Sequence, residues 1–282
     1  MALVIDSEMP SETDAGRTDG GSPLTFSFTN TAGTLLVVMA QQTGADPGEI
    51  TAVSYGGDAL TEFVHQHYVA AYNYVSIWYR LNPKTGSNTV SVTCPNSPDT
   101  IRANAISFTG QHATTPLING AVSDAVYNSF VEITLTGTVA GNIVLMAAQG
   151  ASSYTATDGT LSSRGGDGTL AGNATQLAWY TAGGSVTCHE TMSGWDYSDA
   201  VACEIQAGGG QIARPVSDVS VGNWTASSGT DRYAMVDEET ASDTDYITSG
   251  AAPANDACVL ALGALSTPVA GTVTLRVRAK YV

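Results

Sequence analysis

Two histidines separated by one residue are the pattern in this sequence best suited to hold a metal ion. His65 and His67 lie in a segment with strand character. Because alternate residues of a strand point to the same face, both imidazoles could bind one Zn²⁺. A zinc site needs further protein ligands, and His112 and His189 lie far away in the sequence. The favoured interpretation is a plain pair of surface histidines, so the sequence predicts no metal and no cofactor.

A group of acidic residues near the C-terminus could supply oxygen ligands for Ca²⁺. Its members are Asp237, Glu238, Glu239, Asp243 and Asp245. Their spacing lacks the loop glycine and the terminal bidentate glutamate of the known calcium loop. The favoured interpretation is a solvated acidic edge.

Aromatic residues could form a surface for sugars, because the apolar faces of their rings can stack on sugar rings. Trp195 and Tyr197, which flank Asp196, are one candidate, and the segment Tyr68–Tyr74 is another. Aromatic residues on the strands of a sandwich are more often part of its core. Both interpretations are open at this point.

The motifs of common enzyme classes are missing from the sequence. There is no Gly-x-Ser-x-Gly nucleophile elbow and no glycine-rich phosphate loop that leads into a helix. No carboxylate pair falls on a recognisable glycosidase scaffold. The sequence therefore predicts a protein that is not an enzyme.

The charge of the chain excludes one class of partner. Its 282 residues include 26 acidic and 10 basic residues, which give a formal net charge of −16 at pH 7. Such a surface repels the phosphate backbone, so we expect no nucleic-acid partner. No run of about 18 apolar residues occurs, and the first residues lack a basic leader followed by a long apolar stretch. We expect neither a membrane span nor an export signal.

The strands expected to position these residues belong to an internal repeat, so the chain contains two copies of the same pattern. The matched segments of the first copy are Phe26–Thr29, Ala32–Gln42, Tyr55–Leu60, Trp78–Tyr79, Ser91–Cys94 and Ala105–Phe108. Those of the second copy, in the same order, are Ile133–Thr136, Ala140–Gly150, Arg164–Leu170, Trp179–Tyr180, Ser185–Cys188 and Ala202–Ile205. The spacing differs only where turns would be shortened or extended, so the sequence predicts two superposable β units.

Each copy has the pattern of β-structure. Val75–Leu81 and Val131–Thr136 alternate apolar with other residues, as expected of strands with one face in a core. The runs Thr34–Ala40 and Ile143–Ala148 are apolar without alternation, which indicates central strands covered on both faces. No segment offers a convincing amphipathic helix. The sequence predicts an all-β fold with two repeated sandwich or jelly-roll units.

Four cysteines occur, and the repeat argues against duplicated disulfide bonds. Cys94 and Cys188 are matched, but Cys203 is matched by Ile106 in the first copy. We therefore expect four thiols, including Cys258.

A third unit follows the glycines at 208–210. Its last segment, Gly271–Val282, alternates between an apolar face and a basic face. About 70 residues are too few for a closed sandwich, so this unit should complete its sheet on a neighbouring chain. The predicted organisation is an N-terminal arm at 1–23, sandwich units at 24–120 and 121–210, and a C-terminal β module at 211–282. The residues expected in the assembly contact are Arg214, Trp224, Tyr246, Leu275, Arg276, Val277, Arg278, Lys280 and Tyr281.

Several segments of the chain resemble proteins of tailed bacteriophages. Arg214–Thr225, Tyr233–Glu238 and Asp245–Ile247 are similar to a galactose-binding-like jelly-roll module that recurs in phage and prophage virion proteins. In the first 207 residues, the segments that resemble phage β-sandwich proteins are Val53–Leu60, Ile77–Pro83, Gly86–Val92 and Ile106–Gly110. The two resemblances together span most of the chain, from the first sandwich unit to the C-terminal module. The resemblance implies a virion structural protein but no single biochemical role.

The resemblance and the missing catalytic motifs together give one expected function. We expect a non-enzymatic virion protein, made in the host cytoplasm and attached to the capsid surface as a head decoration or head-fibre protein. Its partners would be capsid or tail subunits and sister copies in a homo-oligomer. The alternative is a carbohydrate-binding receptor-recognition module of the tail or baseplate, with a host surface glycan as partner.

Overall fold

The computed structural model describes residues 2–9, 17–19, 21–43, 49–68, 73–95, 100–150, 154–165, 174–208, 215–236, 246–249 and 257–262. Within these ranges every regular element is a β-strand except one 3₁₀ turn at Tyr233–Met235. The all-β fold class predicted from the sequence is therefore confirmed. No helix in the same ranges is long and apolar enough to cross a membrane.

The strands fall into three groups along the chain. The first group is β1 (Val4–Glu8), β2 (Arg17–Asp19), β3 (Leu24–Asn30), β4 (Leu35–Thr43), β5 (Ala52–Tyr55), β6 (Asp58–Ala59), β7 (Thr61–Tyr68), β8 (Asn73–Leu81), β9 (Gly86–Thr93) and β10 (Thr100–Thr109). The second is β11 (Leu117–Thr138), β12 (Ile143–Gly150), β13 (Tyr154–Thr157), β14 (Thr160–Gly165), β15 (Ala174–Thr181) and β16 (Gly184–Ile205). The third is β17 (Pro215–Ser220), β18 (Thr225–Ala226), β19 (Ile247–Thr248) and β20 (Val259–Leu262).

The first group of strands forms a sandwich of two sheets. One sheet has the order β1-β10-β4-β8-β7, with β2 paired to β10, and the other has the order β3-β9-β5-β6. Buried and exposed residues alternate strictly along β3. Leu24, Phe26 and Phe28 therefore project into the core between the two sheets.

The second group repeats this arrangement with two very long strands. β11 and β16 have 22 residues each and are paired along their length. The second half of β16 belongs to the sheet β11-β16-β12-β15-β14, whereas its first half pairs with the second half of β11 and with β13. In terms of pairing, the second half of β11 and the first half of β16 correspond to β3 and β9. The first half of β11 corresponds to β1.

This strand pairing confirms the repeat and corrects its alignment at the tryptophans. Val37 pairs with Tyr79, and at the equivalent place Leu145 pairs with Trp179. Trp179 therefore corresponds to Tyr79, and the predicted match with Trp78 was wrong by one residue. A shift of one residue moves a side chain to the other face of a strand. Trp78 accordingly lies in the core of its own sandwich, whereas Trp179 packs on the opposite face of its sheet.

The predicted match of two cysteines is also wrong. Cys188 pairs with Ile133, just as Val90 pairs with Phe26. Cys188 therefore stands where the first copy has Val90, and Cys94 lies further along its strand. Similar short Ser-Val-Thr-Cys runs had suggested an equivalence that the register does not support.

The double glycines of the two copies have different structural roles. Gly56 and Gly57 have φ angles of 57° and 84° and form the two-residue turn between β5 and β6, as expected for a hairpin turn in which both residues take positive φ. Gly165 instead is the last residue of β14, opposite Thr175, and Gly166 lies outside the described residues. Residues 158–159 connect β13 to β14 at the place equivalent to Gly56 and Gly57, so the predicted match of the two Gly-Gly pairs was wrong.

The two copies pack back to back through a shared apolar layer, which we call the inter-copy layer. Its buried residues from the first copy are Leu35, Val37, Met39, Val75, Ile77, Ile106 and Phe108, and those from the second copy are Leu117, Leu145, Ala147, Leu177, Val201, Cys203 and Ile205. The opposite faces of β4 and β12 line the separate cores of the two sandwiches. The prediction that the runs at 34–40 and 143–148 are central strands covered on both sides is therefore confirmed.

The predicted unit boundaries differ from the strands at two places. The segment 1–23, predicted to be an arm, contains β1, which pairs with β10 as the edge strand of its sheet. The boundary at 120/121 falls inside β11. The sequence Val-Ile-Asp-Ser-Glu of β1 lacks a clean apolar alternation, which is why its strand character was missed.

The chain divides into a unit at Met1–Gly208 and a second unit at Gly209–Val282, close to the predicted start at 211. The part of the second unit that the structure describes contains two small antiparallel pairs, β17 with β20 and β18 with β19. The Asp218 carboxylate accepts hydrogen bonds from the backbone N–H groups of Arg232 at 3.0 Å and Tyr233 at 2.7 Å. These bonds attach the 3₁₀ turn to β17.

Candidate functional site

Three aromatic side chains of the second copy form an exposed group, which we call the aromatic cluster. Tyr127, Trp195 and Tyr197 are 55%, 63% and 45% exposed. The ring centroids of Tyr127 and Trp195 lie 6.0 Å apart with an interplanar angle of 36°, and those of Tyr127 and Tyr197 lie 5.3 Å apart at 54°. Side chains of this size are usually buried in a core or an interface, so their joint exposure marks a candidate binding surface.

The long β11–β16 ribbon brings the aromatic cluster together. Tyr127 lies directly opposite Tyr197 in the register of the two strands. Trp195 precedes Tyr197 by two residues on β16, so both side chains lie on the same face of the ribbon. In the first copy the corresponding strands β9 and β10 are separate, ending at Thr93 and beginning at Thr100. The ribbon at this place therefore belongs to the second copy alone.

The aromatic cluster continues the face of β16 that forms the inter-copy layer. Alternate residues from Trp195 through Tyr197, Asp199 and Val201 share this face. Val201 and Asp199 are fully buried, and exposure begins at Tyr197. The three rings thus lie where the shared layer ends and the ribbon extends into solvent.

Small polar residues adjoin the aromatic cluster on both strands. Asn128 and Ser129 follow Tyr127, and the exposed Ser193 precedes Trp195 by two residues. The N–H of Ser129 donates to Oδ1 of Asn128 at 2.8 Å. Small-molecule sites combine apolar rings with a few polar groups, and these strand segments have that composition.

The sequence identified part of this cluster. Trp195 and Tyr197 were one of the two aromatic candidates, but Tyr127 was missed because only the register of β11 on β16 brings it alongside them. The other candidate was the segment Tyr68–Tyr74. Tyr74 is buried in the core of the first sandwich, so the core interpretation holds for that residue.

The histidine pair lies on β7 around one tyrosine. The His65 ring stacks on Tyr74 with centroids 5.4 Å apart, and the His67 ring meets Tyr74 edge-on at 5.8 Å. Nδ1 of His65 lies 3.3 Å from Oε1 of Glu62, which also accepts a 2.5 Å hydrogen bond from the Tyr74 hydroxyl. Among the described residues, no three His, Cys, Asp or Glu side chains are grouped closely enough to hold a metal ion.

The Tyr74 phenol keeps its proton at neutral pH, so it cannot act as a general base. Burial, the hydrogen bond to Glu62 and the charges of Glu62 and Glu49 all raise the pKa of Tyr74 above its usual value. The phenol therefore remains neutral and serves as a hydrogen-bond donor. It packs between the stacked ring of His65 and the edge-on ring of His67.

Buried and half-buried carboxylates of the body hold loops in place. Glu204 is fully buried and accepts hydrogen bonds from Nδ2 of Asn119 at 2.5 Å, the N–H of Val139 at 2.8 Å and Nδ2 of Asn142 at 2.6 Å. These bonds fix the turn between β11 and β12 to the second half of β16. The Glu204 carboxylate, which is buried from solvent, therefore has a structural role.

In the first copy, Asp6 on β1 holds the corresponding turn between β3 and β4. Its carboxylate accepts hydrogen bonds from the N–H of Ala32 at 3.1 Å and the hydroxyl of Ser107 at 3.0 Å. Partial burial by itself would raise the pKa of Asp6, but these bonds, together with those from Gly33 and Ser7, lower its pKa below the usual value. Ser107 stands at the position equivalent to Glu204, so the two copies place the acid on different strands.

All four cysteines are thiols, as the sequence predicts. Burial raises the pKa of Cys188 to about 12, with a further contribution from the charge of Glu190. Burial also raises the pKa of Cys203, with contributions from Cys188 and Glu204. Neither thiol can supply a thiolate nucleophile at neutral pH.

The predicted assembly contact is only partly within the described residues. Trp224 and Tyr246 belong to the second unit, where the carbonyl of Trp224 accepts a 3.0 Å hydrogen bond from Nε of Arg232, and Tyr246 is exposed. The other predicted contact residues lie outside the described residues, as do the acids at 237–245; they are Arg214, Leu275, Arg276, Val277, Arg278, Lys280 and Tyr281. The valines of the β17–β20 pair that are exposed are Val216, Val219 and Val259.

Comparison of the chain with protein-family models, curated proteins and solved structures finds no match.

Proposed function

We propose that this chain is a non-enzymatic structural protein of a tailed-bacteriophage virion, attached to the capsid surface as a head decoration or head-fibre protein. The observation that carries the proposal is the inter-copy layer, which joins two sandwiches into one body. Strands covered on both faces have little freedom to move, because protein interiors are close-packed. A stiff body that projects a surface is what a decoration protein requires.

The second unit is the proposed means of attachment. Its β17–β20 pair has exposed valines, and among the described residues no further strand pairs with its edges. Both features favour contact with another chain, either a capsid subunit or a sister copy in a homo-oligomer. The basic residues Arg276, Arg278 and Lys280 would complement an acidic partner surface in a chain of net charge −16.

The location can be tested on intact particles with a gold-labelled antibody against residues 1–208. Label distributed over the head supports the proposal. Label confined to the tail tip or baseplate contradicts it and favours the second candidate described below.

The attachment role can be tested by truncation. A variant that ends at Gly208 should fold, because the first unit contains its own three apolar layers. We expect it to be lost from particles that are assembled in its presence. The matched control is the full chain with Phe130→Ala, which alters an exposed residue of the body outside the aromatic cluster and should still attach. Full occupancy by the truncated chain would show that attachment resides in the first unit.

A second candidate function is a carbohydrate-binding receptor module of the tail or baseplate. The exposed aromatic cluster specifically favours it, because a purely structural body gains nothing from three solvent-exposed rings. The antibody experiment separates the two candidates by location. Inhibition of phage adsorption to host cells by the purified chain would further support the receptor role.

A further inference from the structure

We propose that the aromatic cluster of Tyr127, Trp195 and Tyr197 is a binding site for neutral glycans built from pyranose rings. The inference deepens the proposed function, since a virion surface protein meets host glycans whether it lies on the head or the tail. It names the site and the chemical class of its ligand.

The first argument is geometric. The three rings share one face of the β11–β16 ribbon, and contacts between them hold their positions in the absence of a ligand. Tyrosine and tryptophan have only two side-chain torsions, so an aromatic surface of this kind loses little conformational freedom on binding. The next two residues on the same face of β16, Asp199 and Val201, are fully buried, so the strand that carries Tyr197 is anchored in the body.

The second argument concerns what adjoins the rings. A docking surface for a protein partner usually combines aromatic with aliphatic side chains around its centre. Here the neighbours of the rings along the strands are Val126, Asn128, Ser129, Ser193, Gly194 and Asp196, of which only Val126 is aliphatic. A pyranose presents one face of apolar C–H groups and a rim of hydroxyl groups, and it suits exposed rings on strand segments that are rich in small polar residues.

The third argument is electrostatic and selects the class of sugar. The chain has a formal net charge of −16 and carries only 10 basic residues. A sialylated or sulfated glycan would approach against this field, and the strand neighbours of the rings, residues 126–129 and 193–196, include no basic residue. Neutral hexoses and N-acetylhexosamines carry no such penalty.

The expected affinity of one site is low. A hexose unit of about a dozen non-hydrogen atoms that binds with ordinary efficiency has a dissociation constant of about 1 mM. Many copies on one particle would raise the apparent affinity, because linked sites bind a glycan-covered surface together. Weak single sites therefore suit a protein displayed in many copies.

The test uses the purified full chain and defined sugars. The neutral probes are methyl β-galactoside, methyl β-glucoside and the trimer of N-acetylglucosamine, and the anionic probe is sialyllactose. Binding is followed by saturation-transfer NMR and by the quenching of tryptophan fluorescence. The variants are Trp195→Ala, Trp195→Phe and Tyr197→Ala. The matched control is Phe130→Ala, which removes an exposed ring of the same ribbon that contacts His189.

We expect saturable binding of at least one neutral probe at about 1 mM, a loss of at least tenfold in Trp195→Ala, partial retention in Trp195→Phe and no change in Phe130→Ala. All variants should keep the thermal melting profile of the wild type, since the altered residues are exposed. The proposal is overturned if no neutral probe binds even when it is supplied well above that concentration. It is also overturned if Trp195→Ala binds the neutral probes as tightly as the wild type does, or if the wild type binds sialyllactose more tightly than the neutral probes. A change in oligomeric state without any sugar effect would identify the cluster as a protein contact instead. These results on isolated protein do not depend on where the chain lies in a particle.

Discussion

The inter-copy layer predicts that the two sandwiches unfold together, and Leu145→Ala tests this directly. Leu145 is fully buried on β12 and packs in the shared layer against residues of both copies. Truncation of a buried leucine to alanine costs about 3 kcal/mol, because the transfer free energy of the removed atoms is lost and a cavity remains. The residue lies far from the aromatic cluster in sequence, so no binding effect complicates the measurement.

The size of the effect follows from the size of the unit. For a unit of roughly 200 residues, a loss of about 3 kcal/mol lowers the melting temperature by about 9 °C and the urea midpoint by about 1 M. The informative assay is native-state hydrogen exchange followed by mass spectrometry on peptides from β4 and β12. If the layer couples the copies, exchange should accelerate by the same factor in both strands although only β12 carries the substitution.

The control is Leu135→Ala, which removes a leucine from the separate core of the second sandwich. In a coupled body this variant also accelerates exchange in β4. The reasoning is refuted if either variant accelerates exchange in β12 while β4 is unchanged, or if calorimetry resolves two transitions of which only one moves. In that case the copies are independent domains that merely touch.

Three further predictions concern polar groups of the first unit. Glu204→Ala should lower the free energy of unfolding by about 1–3 kcal/mol in urea titrations, since it leaves the buried amide of Asn142 without its acceptor and removes the hydrogen bonds from Asn119 and Val139; Glu204→Gln, which keeps an acceptor, should lose less. Because the pKa of Asp6 is lowered in the folded chain, its contribution to stability is present above the usual carboxyl pKa and is lost as the pH falls through the lowered value. Asp6→Asn should therefore reduce the difference in urea midpoint between pH 7 and pH 3, and an unchanged difference would contradict the lowered pKa. Cys188 and Cys203 should not react with a thiol reagent at pH 8 in the folded chain, whereas four thiols should react in denaturant without reductant; fewer than four would reveal a disulfide.

The strongest sequence pattern gave the most accurate structural prediction. The runs Thr34–Ala40 and Ile143–Ala148 lack the alternation of a half-exposed strand, and each is indeed covered on both faces. The sequence did not reveal what covers the second face. The second face of each strand is covered by the equivalent face of the other copy. Each copy carries the same apolar pattern whether its partner is the other copy or some other apolar surface, so the sequence pattern does not identify the partner.

Errors in the sequence alignment arose where register decides the face of a residue. The Trp-Tyr pairs were matched by residue type, but pairing with β4 and β12 places Trp179 opposite Leu145 and on the other face from Trp78. The edge strands support the corrected alignment, because each has a bulge at the same place, after its first two paired residues. In β7 the bulge lies between Glu62 and Val64, and in β14 it lies between Leu161 and Ser163. A bulge at an edge discourages pairing with foreign strands, so its repetition has a physical reason.

The comparison of the copies also separates framework from candidate function. The apolar faces of β4 and β12, the edge bulges and the carboxylate-held turns occur in both copies, so they are explained by folding alone. Among the residues that the structure describes, the aromatic cluster has no counterpart in the first copy, where β9 and β10 are separate strands instead of one continuous ribbon. Exposed rings also bring no stability that would favour keeping them, because burial and not exposure of apolar surface stabilises a fold. A feature that is costly in water, unique to one copy and unnecessary for the shared framework is best explained by a ligand that covers it.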